Sequence, residues 1–219
     1  MPDARRFILE NTRLQSPPLL PELQLYLADE VMPIWQKAAQ ELGEPSAPPP
    51  LWAFAWAGGQ AIARYVLDHP EEVAGKQVLD LATGSGLCAI AAMMAGAAST
   101  LAADIDMFSE AAVELNAQAN GVHVAFTHRD LLDGNPPNTD LILAGDVCYE
   151  EPMAERVLAW LHDARMRGIR VLVGDPNRAH FPAECFTPLA DYIVPTTREL
   201  EDRDVKQAGV YTFPAPDTT

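Results

Sequence analysis

The 219-residue chain holds no apolar run of membrane-spanning length; its longest, residues 87–98, is a stretch of small residues broken by Gly96. Cysteine is scarce: Cys88, Cys148 and Cys185 are odd in number and far apart, which argues against a disulfide framework and against a zinc site. Positive charge is scarce too. Fifteen Lys and Arg face 31 Asp and Glu, for a formal net charge of −16, so the cationic surface that drives counterion release from a nucleic acid is missing. The five histidines have no metal-ligand spacing, and neither Ser85 nor Ser109 sits in a G-x-S-x-G elbow. Hydrolase and metalloenzyme chemistry therefore have no residues to rest on, and no bound metal is expected. The opening Met1-Pro2-Asp3-Ala4-Arg5-Arg6 leads into no apolar segment, and Asp3 and Glu10 oppose a transit peptide. A cytoplasmic protein without membrane or nucleic-acid partners is the expectation, and the oligomeric state is left open.

What is present is ordinary globular composition, 48% hydrophobic and 21% charged. The length suits one α/β domain with an appendage. Residues 1–50 are expected to form an N-terminal helical appendage and a proline-rich connector. Leu23, Leu27, Val31, Ile34, Trp35, Ala38 and Leu42 approach helical spacing, with a bend at Pro33 and a stop at Gly43. Pro45 and Pro48-Pro49-Pro50 then stiffen the chain. Residues 51–219 are expected to form the main domain. Strands are predicted over 78–82, 100–103, 122–127, 140–144 and 169–173, and helices over 60–67, 87–95, 109–120 and 153–166. That alternation implies a parallel sheet wound on both faces. Two late strands, Tyr192-Ile193-Val194 and Val210-Tyr211-Thr212-Phe213, have no crossover helix between them and imply an antiparallel end.

Chemistry concentrates at the carboxyl ends of the predicted strands. Val78-Leu79-Asp80-Leu81-Ala82-Thr83-Gly84-Ser85-Gly86 reads as a buried strand, a glycine turn and a helix start. Glycines allow close backbone approach, and the helix start offers unpaired N–H groups. Asp104, twenty residues after Gly84, ends the next strand and is placed to meet ribose hydroxyls. Its neighbour Asp106 is better placed to start the following helix. Gly84 to Ala89 also satisfies G-x-G-x-x-G/A, so a nicotinamide or flavin cofactor remains a candidate. Asp130, after the third strand, suits a local turn. Leu141-Ile142-Leu143-Ala144-Gly145-Asp146 delivers Asp146 to the same sheet edge, with Tyr149 three residues on.

Asp80 inside its strand sets the glycine loop apart from dinucleotide sites. The pattern apolar-Asp-apolar-Ala-x-Gly-x-Gly resembles motif I of the seven-stranded S-adenosylmethionine-dependent methyltransferases. Asp146-x-x-Tyr149 after the fourth strand resembles the motif of the protein-lysine methyltransferases grouped as family 16. Trp52-Ala53-Phe54-Ala55-Trp56-Ala57-Gly58-Gly59-Gln60 closely resembles one branch, the lysine methyltransferases of the electron transfer flavoprotein β-subunit. So do Phe7-Ile8, Asn11-Thr12, Ser16-Pro17-Pro18 and Leu200-Glu201-Asp202, and the likeness spans nearly the whole chain. Ala57 stands where a proline is common and Cys148 where an aromatic is common.

The resemblance implies a Rossmann-like seven-stranded methyltransferase sheet with an antiparallel C-terminal strand. It implies S-adenosyl-L-methionine as cofactor, S-adenosyl-L-homocysteine as product, and the flavoprotein β-subunit as protein substrate. It makes Asp146 and Tyr149 the catalytic pair. Trp56, Ala82, Thr83, Gly84, Gly86, Asp104, Asp130, Leu131 and Gly145 would line the cofactor, with Leu131 against the adenine. A nicotinamide-dependent oxidoreductase and a methyltransferase with a small-molecule acceptor are the competing readings.

Overall fold

A computed structural model describes residues 3–201 and 203–214; Asp202 of the closing Leu200-Glu201-Asp202 segment lies outside them. Among the described residues, sixteen α-helices and β-strands follow one another. The N-terminal part holds α1 (Ala4–Asn11), β1 (Arg13–Gln15), β2 (Leu25–Leu27) and α2 (Val31–Leu42). The alternating part holds α3 (Ala57–Asp68), β3 (Gln77–Leu81), α4 (Leu87–Met94), β4 (Ser99–Ala103), α5 (Ser109–Ala119), β5 (Ala125–Thr127), β6 (Leu141–Gly145), α6 (Glu151–Met166) and β7 (Arg170–Asp175). The end holds β8 (Thr187–Pro195), α7 (Arg198–Glu201) and β9 (Val205–Thr212).

The main sheet has seven strands in the order β5-β4-β3-β6-β7-β9-β8. The first five are mutually parallel, and β9 runs antiparallel to both β7 and β8. This is the expected doubly wound sheet with its antiparallel end. Alternation along each strand separates two cores. Leu141 and Leu143 pack with Ile62 of α3 and Ile90 of α4, whereas Ile142 and Ala144 pack with Val157 and Leu161 of α6. The strands carry near-continuous apolar runs because both faces are covered. No helix among the described residues is long and apolar enough to cross a membrane.

The opening residues depart from a single bent helix. Leu25–Leu27 is a strand paired antiparallel with Arg13–Gln15, and the helix starts only at Val31. Leu23, Leu27 and Val31 fit a helical spacing, but Leu25 and Leu27 share a face at a strand's two-residue period, and a partner strand ten to fourteen residues earlier decides between them. Pro33 falls in the first turn of α2, where its missing N–H costs no intrahelical bond. Gly43 ends that helix at φ +68°, as expected. The predicted strand over 122–127 shortens to Ala125–Thr127.

Leu20, Leu23, Leu25 and Leu27 join the buried cluster that contains Ile62 and Leu141. Phe7 packs on Phe108, which stacks on Trp52 at 5.4 Å between ring centroids. Two asparagines of α5 and its C-terminus tie the hairpin down. Asn116 Oδ1 accepts the Tyr26 N–H at 2.7 Å while its Nδ2 donates to the Ser85 carbonyl at 2.8 Å. Asn120 Oδ1 accepts the Gln24 N–H, and its Nδ2 donates to the Gln24 carbonyl. Asn116 is fully buried, so Asn116→Ala would strand a donor on the hairpin and an acceptor in the glycine loop. A loss of about 3 kcal/mol in urea unfolding is expected; a loss below about 1 kcal/mol would contradict this bridging role.

Candidate active site

The glycine loop between β3 and α4 is held from beneath by Asp80. The Thr83 hydroxyl and the Ala89 N–H both donate to Asp80 Oδ2. One carboxylate therefore pins the loop to the first turn of α4. Ala82, Gly84 and Gly86 all adopt positive φ, at +54°, +52° and +83°. At Gly86 a Cβ would also stand 3.0 Å from Val113 Cγ2, so this turn admits no side chain without displacing α5. Gly86 caps α4 with no side chain, so the helix start carries no capping group of its own beyond the Asp80 bond to the Ala89 N–H.

Asp104 follows β4 and faces this loop. Its Oδ2 accepts the Gly84 N–H at 2.8 Å and its Oδ1 accepts the Asp106 N–H at 2.9 Å. A carboxylate has about four lone-pair sites, so both oxygens retain capacity for a ribose diol. Asp106 accepts the Phe108 N–H and so forms a local turn ahead of α5. Ile105 lies between the two acids and is 72% exposed. Backbone-lined loop, adjacent acid and open apolar surface suit a nucleoside whose polar edge is a diol.

Burial pushes the Asp80 carboxyl up to about 7, against its two hydrogen bonds, and the Asp104 charge adds to the rise. A carboxyl raised above its ordinary 3.8 stabilises the fold in protonated form. That contribution is complete below about pH 4 and is lost as pH rises toward about 7. Asp175 and Asp106, raised to about 7 and about 6 mainly by burial, act in the same direction. Thermal unfolding should show a shallower fall in midpoint from pH 4 to 8 for Asp80→Asn than for the parent; parallel slopes would contradict it.

The second half of the site comes from β6 and β7. Asp146 leaves β6 at φ +83° with a 9% exposed side chain. Its Oδ2 accepts the Gly59 N–H in the first turn of α3 at 2.7 Å, and its Oδ1 accepts from Arg178 Nη2 at 2.9 Å. The helix dipole and the guanidinium both favour a charged carboxylate here. Gly145 makes this possible, since a Cβ on it would stand 2.8 Å from Gly59 Cα. Trp56 caps α3, anchors its indole N–H on the Leu51 carbonyl at 2.9 Å, and lies 5.9 Å from the Arg178 guanidinium carbon. Tyr149 is 48% exposed. Its hydroxyl is pushed up by burial first, then by Glu150 and by Asp104.

The sheet edge thus gathers Trp56, Ala82, Thr83, Gly84, Gly86, Asp104, Gly145, Asp146 and Tyr149. Asp130 sits at the carboxyl end of β5, where its Oδ1 accepts the Leu132 N–H and its Oδ2 pairs with Arg156 at 3.0 Å. It makes the local turn that the sequence allowed. Leu131, next to it, packs half-buried toward the α6 core. Three neighbours escaped the sequence reading: Ile105, Asp175 and Arg178. Asp175-Pro176-Asn177-Arg178 follows the fifth parallel strand, and its position at a strand's carboxyl end was the available signal.

Comparison with known proteins decides the family. The chain is 36% identical over 216 residues to the electron transfer flavoprotein beta subunit lysine methyltransferase of Rattus norvegicus, covering 95% of this chain and 84% of that protein. It is 39% identical to the Homo sapiens protein of the same name over 183 residues, 82% of this chain and 69% of that one. The chain belongs to the electron transfer flavoprotein beta subunit lysine methyltransferase family. The family profile of ribosomal protein L11 methyltransferase (PrmA) matches residues 62–147, the glycine loop through β6. Among solved structures, the N-methyltransferase NodS of Bradyrhizobium japonicum, in complex with S-adenosyl-L-homocysteine, superposes with TM-score 0.52 at 14% identity. The superposition covers 83% of this chain and 98% of that one, and it shows the shared methyltransferase fold. Membership in this lysine methyltransferase family displaces the nicotinamide oxidoreductase reading of the glycine loop.

Proposed function

We propose that the protein transfers methyl groups from S-adenosylmethionine to lysine ε-amines of a protein, and that this protein is the electron transfer flavoprotein β-subunit. The observation that carries this reading is identity of 36% across 95% of the chain to relatives named for that activity. The geometry of the site supports it. Ala82, Thr83, Gly84 and Gly86 would hold the cofactor through the backbone, Asp104 through the ribose hydroxyls, and Gly145 and Trp56 would close the space beside it. Asp130 and Leu131 would bound the adenine end. When bound, the cofactor supplies an electrophilic methyl on a sulfonium.

The remaining work falls to the protein. Asp146, held by the Gly59 N–H and Arg178 at the sheet edge, would orient an incoming amine. Tyr149 offers a hydroxyl and a ring face at the mouth. Positioning and exclusion of water are the main contributions to rate for an in-line displacement. A lysine amine with an unperturbed pKa of about 10.4 must also lose its proton before it can attack.

The test is transfer of labelled methyl to purified flavoprotein β-subunit, with the modified residue mapped by mass spectrometry. Label on lysine is expected. An unlabelled subunit alongside a cofactor-binding enzyme would remove this substrate.

A further inference from the structure

Asp146 and Asp175 end adjacent parallel strands. Gly145 pairs with Gly174, and the Asp146 N–H donates to the Gly174 carbonyl at 3.0 Å, so the two acids emerge side by side. Asn177, at φ +60°, then turns the chain back. Asp175 Oδ1 accepts the Arg178 N–H at 2.7 Å, which closes the turn and returns the guanidinium over the sheet edge. There it pairs with Asp146 and lies against the Trp56 ring. Asp175 is fully buried, and its Oδ2 has no hydrogen-bond partner among the described residues. Burying two acids and a guanidinium together is costly, and replacing such groups by apolar ones is often stabilising. Fold stability does not account for this arrangement.

We propose that Arg178 is the internal cation of the acceptor site: by holding Asp146 as an ion pair against the Trp56 ring, it sets the site to take the substrate's primary amine in neutral form. The proposal rests on the reading that Asp146 lies beside the acceptor lysine. A bare buried carboxylate would grip an ammonium and raise its pKa, making the nucleophilic form scarcer. A fixed guanidinium reverses this, since a like charge beside the amine disfavours protonation. The ammonium gives up its proton to a solvent base as it enters, and an N–H of the neutral amine donates to Asp146. Among the described residues, the groups around the pair include Asp175 at the end of β7, Asn177 after it, Cys148 before α6, Tyr211 on β9 and Cys88 on α4. Burial pushes the Cys148 thiol up to about 12 and raises Cys88 and Tyr211, which keeps these three neutral. Asp175, raised to about 7 mainly by burial, is neutral below that pH and leaves Asp146 and Arg178 as the charged pair. Arg178 is a positioning residue in this scheme.

The experiment has two arms. In the first, n-butylamine is titrated by calorimetry into wild-type protein saturated with S-adenosylhomocysteine at pH 6, where Asp175 is protonated, in buffers of different ionisation enthalpy. Release of about one proton per amine bound is expected, because the ligand is an ammonium in solution and an amine in the site. In Arg178→Gln the amine should bind about tenfold tighter without that release, whereas Arg178→Lys should behave like wild type. In the second arm, kcat for the flavoprotein β-subunit is followed against pH. The limb requiring the neutral amine should move up by about one pH unit in Arg178→Gln and stay in place in Arg178→Lys. Amine binding by the wild type without proton release, or equal behaviour of wild type and Arg178→Gln, overturns the proposal. The butylamine arm needs no protein substrate, so loss of the flavoprotein reading alone would appear only in the second arm.

Discussion

Asp146→Asn is expected to lower methyl transfer to the flavoprotein β-subunit at least about a hundredfold with the fold retained. Asparagine suits the position structurally. It tolerates positive φ better than other residues with a Cβ, and Asp146 sits at +83°. Its amide oxygen can still accept the Gly59 N–H that Asp146 Oδ2 takes at 2.7 Å. What disappears is the charge that pairs with Arg178 and would orient the amine. The loss should appear in kcat, measured with labelled cofactor, while the thermal midpoint stays within a few degrees of the parent. Activity within threefold of wild type would remove Asp146 from the mechanism. Asp146→Ala is a poorer probe, because it also strips the first turn of α3 of its acceptor.

Gly174→Ala is expected to have the largest effect on stability, about 3 kcal/mol or more. A Cβ on Gly174 would stand 2.1 Å from the Gly58 carbonyl oxygen, and one on Gly58 would stand 2.2 Å from the Gly174 carbonyl oxygen. Both neighbours are backbone, so no side-chain rotation relieves either clash. Helix α3 would have to lift from β7. That movement would take the Gly59 N–H away from Asp146, so cofactor-dependent activity should fall with stability. Urea unfolding measures the first effect and methyl transfer the second. A variant within about 1 kcal/mol of the parent would show that α3 moves freely over the strands.

The doubly wound core was legible because its strands are apolar on both faces and its helices keep their own period, from Leu79 to Val173. The glycine loop and Asp104 were legible because a close backbone approach and a strand-end acid leave spacing in one stretch of chain. Asp146 stood out for the same reason. Arg178 did not, because its meaning lies in a partner thirty-two residues earlier and in an indole earlier still. Nothing in Asp175-Pro176-Asn177-Arg178 alone distinguishes a site from a surface turn. The β2 segment was read as part of a helix because Leu23, Leu27 and Val31 share helical spacing, whereas its strand depends on Arg13 to Gln15 for hydrogen bonds. Asp80 was readable as an unusual residue in a buried strand. Its service as a brace for Thr83 and Ala89 became visible only once the loop was folded back over it.

The hold of Asn116 and Asn120 on the hairpin has a consequence for how the chain is made. The N–H groups of Gln24 and Tyr26 find their acceptors 96 and 90 residues later. A ribosome that has released the hairpin must add some ninety residues more before those acceptors emerge. The hairpin therefore locks long after it is made, and until then its leucines are exposed to whatever meets a nascent chain.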